Sequence, residues 1–352
     1  MSNDPSALMK HLEGLRRLYF AWCVVPLLRL VGPRVATAVA RRLAAGVFGL
    51  NPPGRARGMQ RIQNSIRERR LPSSKNDATS LLRESYCQYG RFWAESIYLA
   101  GRLTKTRWRR FVTCKSEDAL QELACDRRGC LIAVAYHGNI AAAACALGHL
   151  FKPLYIVMDA SMLPSRRVWQ PIISKMTNLH IIERGAAGME IPQVLENGGA
   201  VMMVVEHERV RGRGAPVQFM GRQFEAYPTI GRLSHWFDVP VAVMTCPRGK
   251  SAFWFELLLH EVIDPRAVSK IMGVSESERG DIGFEITRQT LAALEKGVLK
   301  SPEQYLWSVP TADDGARSFH SASVPIDVIA PPGLGRPAAQ NRRADSLIVN
   351  RG

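Results

Sequence analysis

The apolar and polar positions of the chain follow two different patterns. From about residue 129, short apolar runs alternate with helical periodicity, which is typical of an α/β sheet with crossover helices. We therefore predict a mixed, mostly parallel sheet flanked by helices. The predicted strands are 130–136, 154–158, 180–182, 200–205, 239–246 and 253–259. The predicted helices are 78–102, 140–150, 163–178, 189–197 and 282–295.

The N-terminal part has a different pattern. Apolar runs at 18–30 and 35–50 are interrupted by arginines, and the first is shorter than the roughly 20 residues that a membrane span needs. Arginines on one face with Phe20, Trp22 and leucines on the other favour helices lying in a membrane interface. The alternative is a pair of amphipathic helices packed on a soluble core.

Composition divides the chain into three predicted parts. Residues 1–50 form the membrane-associating helical segment, and residues 51–311 form the α/β domain. Residues 312–352 are rich in Pro, Ala, Ser, Gly and Arg, which predicts a disordered tail.

Charge narrows the choice of partners. The 352 residues include 47 Lys and Arg against 31 Asp and Glu, a net charge of +16 that favours anionic membranes, acidic proteins or nucleic acid. An arginine-rich stretch from Arg55 to Arg70 is either a phosphate-binding patch or a solvated face. No nucleic-acid-binding signature accompanies the charge, so nucleic acid is not an expected partner. The seven cysteines are scattered singly, and we expect no metal site.

The clearest chemical signal is His137-Gly138-Asn139, which directly follows a predicted strand and precedes a helix. This order places an imidazole at the carboxyl end of a strand, where open α/β sheets bind ligands. Gly138 allows a close approach to the backbone, and Asn139 is a suitable N-cap for the helix. A structural histidine with satisfied hydrogen bonds is the alternative.

Several further motifs follow in order. They are Glu206-His207 at a strand end, Phe219-Met220-Gly221, Pro228 to Gly231, Val239-Pro240-Val241 and Pro302 to Trp307. With the histidine motif, this set resembles the lysophospholipid acyltransferase superfamily, and most closely its branch of late lipid A acyltransferases. The resemblance covers roughly residues 15 to 310.

The resemblance implies a transfer reaction. An acyl group would pass from an acyl thioester, on acyl carrier protein or coenzyme A, to a hydroxyl or amine of a lipid or small metabolite. The thioester would be a co-substrate, and no other cofactor is expected. The resemblance also implies monotopic attachment to the cytoplasmic face of the bacterial inner membrane.

One departure from the family pattern concerns its catalytic pair, His-x4-Asp/Glu. Counting from His137, the acid position holds Ala142, so another carboxylate must substitute or the chemistry is altered. We expect Glu206, or failing that Glu208, to contact the imidazole. The alternative is an ion pair or exposed carboxylate at these positions. The family's basic ending after the last tryptophan is also absent, because Ser308 follows Trp307.

These residues define a predicted site. His137 is the general base and Glu206 its partner. Substrate binding is assigned to a set of glycines and polar residues around it. The set is Gly138, Asn139, Arg209, Arg211, Arg213, Gly221 and Arg222. The alternative interpretation within the family is an inactive homologue that serves as a membrane-bound scaffold.

Overall fold

A computed structural model describes residues 30–71, 75–158, 177–207, 214–272 and 279–308. Its helices are α1 (Pro33–Leu50), α2 (Pro52–Arg67), α3 (Lys75–Leu99), α4 (Glu117–Cys125), α5 (Ile140–Leu150), α6 (Ala187–Glu196), α7 (Thr229–Phe237), α8 (Pro265–Met272) and α9 (Arg279–Val298). Its strands are β1 (Val112–Cys114), β2 (Cys130–Val134), β3 (Leu154–Met158), β4 (Leu179–Glu183), β5 (Ala200–Val204), β6 (Ala215–Phe219), β7 (Arg222–Ala226), β8 (Val241–Thr245) and β9 (Phe255–Ile263).

Seven strands form one mixed sheet in the order β1-β9-β8-β2-β5-β3-β4. All neighbouring pairs are parallel except β8 and β9, which are antiparallel. The predicted α/β class with a mostly parallel sheet is therefore confirmed. The central strand β2 lies between β8 and β5, so its carboxyl end is at the middle of one sheet edge.

The apolar runs form strands because both faces of the sheet are covered. In β2, all five residues are buried. Leu131 and Ala133 belong to a core shared with α2, α6, α7 and α9. Ile132 and Val134 belong to the opposite core, to which α5 contributes its alanines and Leu147. Such a two-sided strand appears in the sequence as one continuous apolar run.

The structure also contains elements that the sequence patterns do not predict. Strand β1 has only three residues, which is too short for periodicity, and it is held by parallel pairing with β9. Strands β6 and β7 form a separate antiparallel hairpin through the turn at Met220 and Gly221. The sequence patterns did not predict helices α4 and α8 either. The predicted helix 163–178 falls almost wholly outside the described residues, and the predicted tail falls entirely outside them.

Helix α1 packs against α3, where Ala44 lies beside Gly90, and both Ala36 and Ala44 are buried. Its opposite face exposes an apolar stripe, which consists of Val35, Val39, Leu43, Val47 and Leu50. In the described ranges, no helix is both long and apolar enough to cross a membrane. Phe20 and Trp22 lie outside the described residues.

Candidate active site

The site lies at the sheet edge where three neighbouring strands end. The segment after β2 carries His137, the segment after β5 carries Glu206, and the segment after β8 carries Cys246. The main-chain N–H of Val205 donates to the Val134 carbonyl at 3.1 Å, which holds the first two segments together beyond the strands. Parallel strand order thus brings residues distant in sequence to one place.

A tight turn fixes the histidine. Gly138 has φ of 65°, and a Cβ there would overlap the carbonyl oxygen of Cys246. The Asn139 N–H donates to this carbonyl at 2.8 Å, while the Asn139 side chain accepts from the Ala142 N–H at 2.9 Å and caps α5. The predicted N-cap is confirmed. The neighbouring Cys246 carbonyl requires a glycine here, and the close approach of a substrate to Gly138 stays a prediction.

Residues 301–308, here called the closing segment, pack over this turn. The Gly138 N–H donates to the Gln304 carbonyl at 3.1 Å, and the Leu306 N–H donates to the Tyr136 carbonyl at 3.0 Å. The Gln304 side chain accepts from the Arg248 N–H at 2.7 Å. The main-chain groups on either side of His137 are therefore engaged in hydrogen bonds to the closing segment.

The imidazole of His137 is buried, with only 2% of the residue exposed. Its Nε2 lies 3.0 Å from the Ser301 hydroxyl and 3.1 Å from the Ser301 carbonyl. Its Nδ1 has no hydrogen-bond partner among the described residues. Burial lowers the pKa of His137 to about 4, so the ring is neutral at physiological pH and can accept a proton.

Glu206 is also buried, but its carboxylate contacts other groups. One oxygen accepts from the Tyr136 N–H at 2.5 Å, and the other accepts from the Tyr305 hydroxyl. Burial raises the pKa of Glu206, against the lowering effects of these hydrogen bonds and of two nearby arginines. Glu206 therefore makes no direct hydrogen bond to the imidazole, and a contact between them through one water stays a prediction. Each carboxylate oxygen accepts a hydrogen bond from a neighbour of His137: Tyr136 precedes it in sequence, and Tyr305 pairs with its main chain.

A second buried network supports the turn from the side of α3. Arg248 donates through Nε to both oxygens of Glu95 at 2.9 Å, and its Nη2 lies 2.8 Å from the same carboxylate. The Asn139 side chain donates to Glu95 at 3.2 Å, and Arg91 approaches the carboxylate at 3.3 Å. Removing one partner from such a buried pair typically costs about 3–5 kcal/mol of stability.

A cavity of about 30 Å³ lies beside the imidazole. Side chains of α3 line one side of it, namely Ser85, Gln88, Tyr89 and Phe92. His137, Gln304 and Leu306 line the other side. The volume accommodates about two water molecules.

Comparison with known protein families shows to which family this chain belongs. The family model of the bacterial lipid A biosynthesis acyltransferases matches residues 9–310. The chain belongs to that family. No curated protein matches the sequence. Family membership supports a transferase that uses an acyl thioester donor.

Within the lipid A acyltransferase family, this member departs from the pattern at the acid position. Ala142 lies in the first turn of α5, with 1% of the residue exposed. An alanine supplies no acceptor for an imidazole N–H, and His137 Nδ1 indeed lacks a partner among the described residues. The usual means of fixing the tautomer of a catalytic histidine is therefore missing.

The other predicted site residues do not contact the imidazole of His137 or lie outside the described residues. Gly221 lies in the β6–β7 turn with φ of 69°, and a Cβ there would overlap the Arg61 carbonyl. A glycine here allows close packing on α2, and the substrate contact of Gly221 stays a prediction. Arg222 lies near Glu206, since its guanidinium donates to the Glu206 carbonyl at 3.4 Å. The remaining predicted residues lie outside the described residues. They are Glu208, Arg209, Arg211 and Arg213.

The arginine-rich stretch is only partly solvated. Arg61 is buried and donates to the Trp307 carbonyl at 2.8 Å, and burial lowers its pKa to about 10. Arg70 pairs with Glu295 on α9. At least part of the stretch therefore holds α2 against the closing segment and α9.

The sequence analysis did not identify three residues whose side chains contact the site or support its turn. Ser301 precedes the quoted Pro302 to Trp307 motif, and only the fold brings its hydroxyl to the imidazole. Glu95 and Arg248 are separated by 153 residues and meet through tertiary packing. A charged residue three positions after the end of the buried strand β8 was the available signal for Arg248.

Proposed function

We propose that this protein transfers a fatty acyl group from an acyl thioester to a hydroxyl or amine of a lipid or small metabolite. The donor would be acyl carrier protein or coenzyme A. The observation that carries the proposal is the position of His137 at the carboxyl end of the central strand, in a member of an acyltransferase family.

The proposed chemistry is general-base catalysis. His137 takes the proton of an incoming hydroxyl or amine, the acyl group moves to that atom, and the thiol leaves. Main-chain amides at the start of α5, apart from the Ala142 N–H that the Asn139 side chain caps, would stabilise the oxyanion. We further propose Arg209, Arg211 and Arg213 as contacts for donor or acceptor phosphates. Because the cavity beside the imidazole is small, we also propose that α3 or the closing segment moves when the substrate binds.

We also propose attachment to the cytoplasmic face of the inner membrane. The apolar stripe of α1 supports this, because its side chains recur every three or four residues on one exposed face. Arg34 and Arg42 are exposed on the same helix and suit anionic headgroups. The net charge of +16 would also attract an acidic acyl carrier protein.

The second candidate function is a membrane-bound scaffold without turnover. The observations that favour it are Ala142 at the acid position and an imidazole that is almost fully buried. The same fold could then present its surface to a partner while the catalytic step is lost.

Mass spectrometry of lipids and small metabolites tests the proposal in cells with and without the gene. Complementation with wild type or His180→Ala should restore an acylated product, because His180 is an exposed histidine on β4. Complementation with His137→Ala should leave the product absent. If the wild-type gene changes no acylated species, the scaffold is the better account.

A further inference from the structure

Two side chains that line the cavity beside the imidazole each carry a buried polar atom that has no hydrogen-bond partner in the described part of the chain. One atom is Nδ1 of His137, and the other is Oε1 of Gln88 on α3. Both residues are buried, with 2% of His137 and 8% of Gln88 exposed. Buried polar groups are nearly always hydrogen-bonded, so two such atoms around one cavity indicate a shared partner.

The neighbours of Gln88 fix the direction of its amide. The amide nitrogen donates to a carboxylate oxygen of Glu84 at 2.7 Å, one helical turn earlier. Arg41 binds both oxygens of the same carboxylate, at 2.8 and 2.9 Å. A carboxylate paired with a guanidinium accepts hydrogen bonds and does not donate them. The amide nitrogen therefore faces Glu84, and the amide oxygen faces away from it.

The contacts of the ring leave its Nδ1 side for the cavity. Nε2 lies against Ser301, which does not line the cavity, whereas His137 does. The cavity volume of about 30 Å³ accommodates a water molecule, and a buried water needs at least two polar partners. Nδ1 of His137 and Oε1 of Gln88 supply one partner each.

We propose that Gln88 is a positioning residue, which holds Nδ1 of His137 through one water molecule and so replaces the acid that is missing at Ala142. The Nδ1–H donates to the water, and the water donates to Oε1 of Gln88. This inference rests on the proposed direct transfer. It supplies an acceptor for the Nδ1–H and thereby leaves Nε2 as the base.

The closing segment explains why such a bridge matters. The Ser301 carbonyl lies 3.1 Å from Nε2 and favours the opposite tautomer, in which Nε2 carries the proton. The Ser301 hydroxyl, at 3.0 Å, can donate to Nε2 and suits the tautomer with the proton on Nδ1. In the proposed movement of the closing segment, both groups leave Nε2. The bridge through Gln88 then still holds the proton on Nδ1, and Nε2 is open to the acceptor.

A crystal structure of the full-length wild-type protein tests the bridge itself. A water should lie within about 3.2 Å of both His137 Nδ1 and Gln88 Oε1, and it should be absent from Gln88→Leu. Nitrogen-15 NMR of histidine-labelled protein, with His137→Gln to assign the signal, should show that the share of the Nδ1–H tautomer falls in Gln88→Leu. A wild-type structure without this water, or an unchanged tautomer in the variant, would overturn the inference.

Gln289→Leu is the matched control. Gln289 on α9 donates to Glu285 at 2.8 Å, with the same spacing of four residues that links Gln88 to Glu84. Gln289 is partly buried and does not line the cavity. This variant should keep the wild-type tautomer and the wild-type rate.

Kinetics separate positioning from a merely structural role. With acyl-CoA or acyl carrier protein thioesters and a total lipid extract, Gln88→Leu should lower kcat about tenfold or more and leave KM within about twofold of wild type. Adding Ala142→Asp should remove this loss, because the aspartate accepts directly from Nδ1–H and makes the water bridge unnecessary. The double variant should therefore match Ala142→Asp alone. An equal loss from Gln88→Leu with and without Ala142→Asp would overturn the role of the bridge.

The outcomes also separate this inference from the proposed function. If wild type transfers acyl groups and Gln88→Leu transfers them at the same rate, the inference fails and direct transfer stands. If the water and the tautomer change are observed but no protein transfers an acyl group, the bridge is supported and the proposed acyl transfer fails.

Discussion

The hydroxyl of Tyr305 donates a hydrogen bond to Glu206 from a position 99 residues later in the chain. The other oxygen of Glu206 accepts from the Tyr136 N–H, immediately before His137. One carboxylate therefore ties the end of β2 to the closing segment. We interpret Glu206 as a positioning residue, which holds the backbone on either side of the imidazole.

Substitution of Glu206 separates positioning from catalysis. Glu206→Gln keeps groups that can bond to both partners, so we expect activity within about threefold of wild type. Glu206→Ala leaves the Tyr136 N–H and the Tyr305 hydroxyl buried without a partner, which should lower the free energy of unfolding by roughly 2–4 kcal/mol. Acyl-transfer rates and urea denaturation measure the two effects. A loss in Glu206→Gln as large as in His137→Ala would instead indicate an acid that acts on the ring.

Restoring the acid of the family pattern should increase activity. Ala142→Asp places a carboxylate at the position that completes His-x4-Asp, where it can accept from Nδ1 and favour the tautomer whose Nε2 is the base. We expect initial rates to rise about tenfold or more. The matched control is Ala143→Asp, since Ala143 is equally buried with 1% exposed but lies on a different side of α5. Equal rates for the two variants would contradict the proposed tautomer control.

The sequence predicted the sheet because strands such as β2 are buried on both faces and appear as continuous apolar runs. It also predicted the cap at Asn139, because an N-cap depends on residues only three apart. It did not predict the partners of Glu206 and Arg248, which depend on how distant segments meet. The contact between Ser301 and His137 was missed for the same reason, since 164 residues separate the two.

The turn before α5 should be intolerant of any side chain. Gly138→Ala adds a methyl group that overlaps the Cys246 carbonyl and also strains a backbone with positive φ. We expect a loss of about 3 kcal/mol or more, together with loss of transfer activity. Gly101→Ala is the matched control, because Gly101 has φ of 82° but no atom within 4 Å of the place where a Cβ would lie. Similar melting temperatures for the two variants would show that the contact with Cys246 is unimportant.

Burial of His137 should make stability depend on pH. The pKa of His137 falls from 6.5 to about 4 on folding, so the unfolded chain binds this proton more readily than the folded one. With respect to His137, the free energy of unfolding keeps its full value above pH 6.5 and decreases as the pH falls toward 4. At pH 5 the free energy of unfolding is lower than at pH 7 by about 2 kcal/mol.

Guanidinium denaturation of wild type and His137→Gln at pH 7 and pH 5 measures this contribution. His260, whose pKa burial also lowers to about 4, contributes in the same direction and is present in both proteins. The stability of wild type should therefore fall more steeply with acid than that of the variant. Parallel pH dependences would mean that the imidazole is not buried in its neutral form.

The apolar stripe of α1 should determine membrane binding. Leu43 is 68% exposed, so Leu43→Asp removes apolar area from the surface without opening a cavity. We expect affinity for anionic phospholipid vesicles to fall about tenfold in co-sedimentation, since a buried leucine contributes on the order of 1.5–3 kcal/mol. Met189→Asp, a 72% exposed position on α6, is the control and should bind as wild type. If both variants bound vesicles equally weakly, the added negative charge alone, and not the loss of the apolar stripe, would explain the weaker binding.

The most direct measurement of the central claim is the rate of thiol release and acyl transfer by purified wild type, His137→Gln and His180→Gln. The reactions supply acyl-CoA or acyl carrier protein thioesters together with a total lipid extract, and circular dichroism confirms folding. We predict that His180→Gln matches wild type and that His137→Gln loses at least a hundredfold in rate. A folded His137→Gln protein that transfers acyl groups at the wild-type rate would contradict the account.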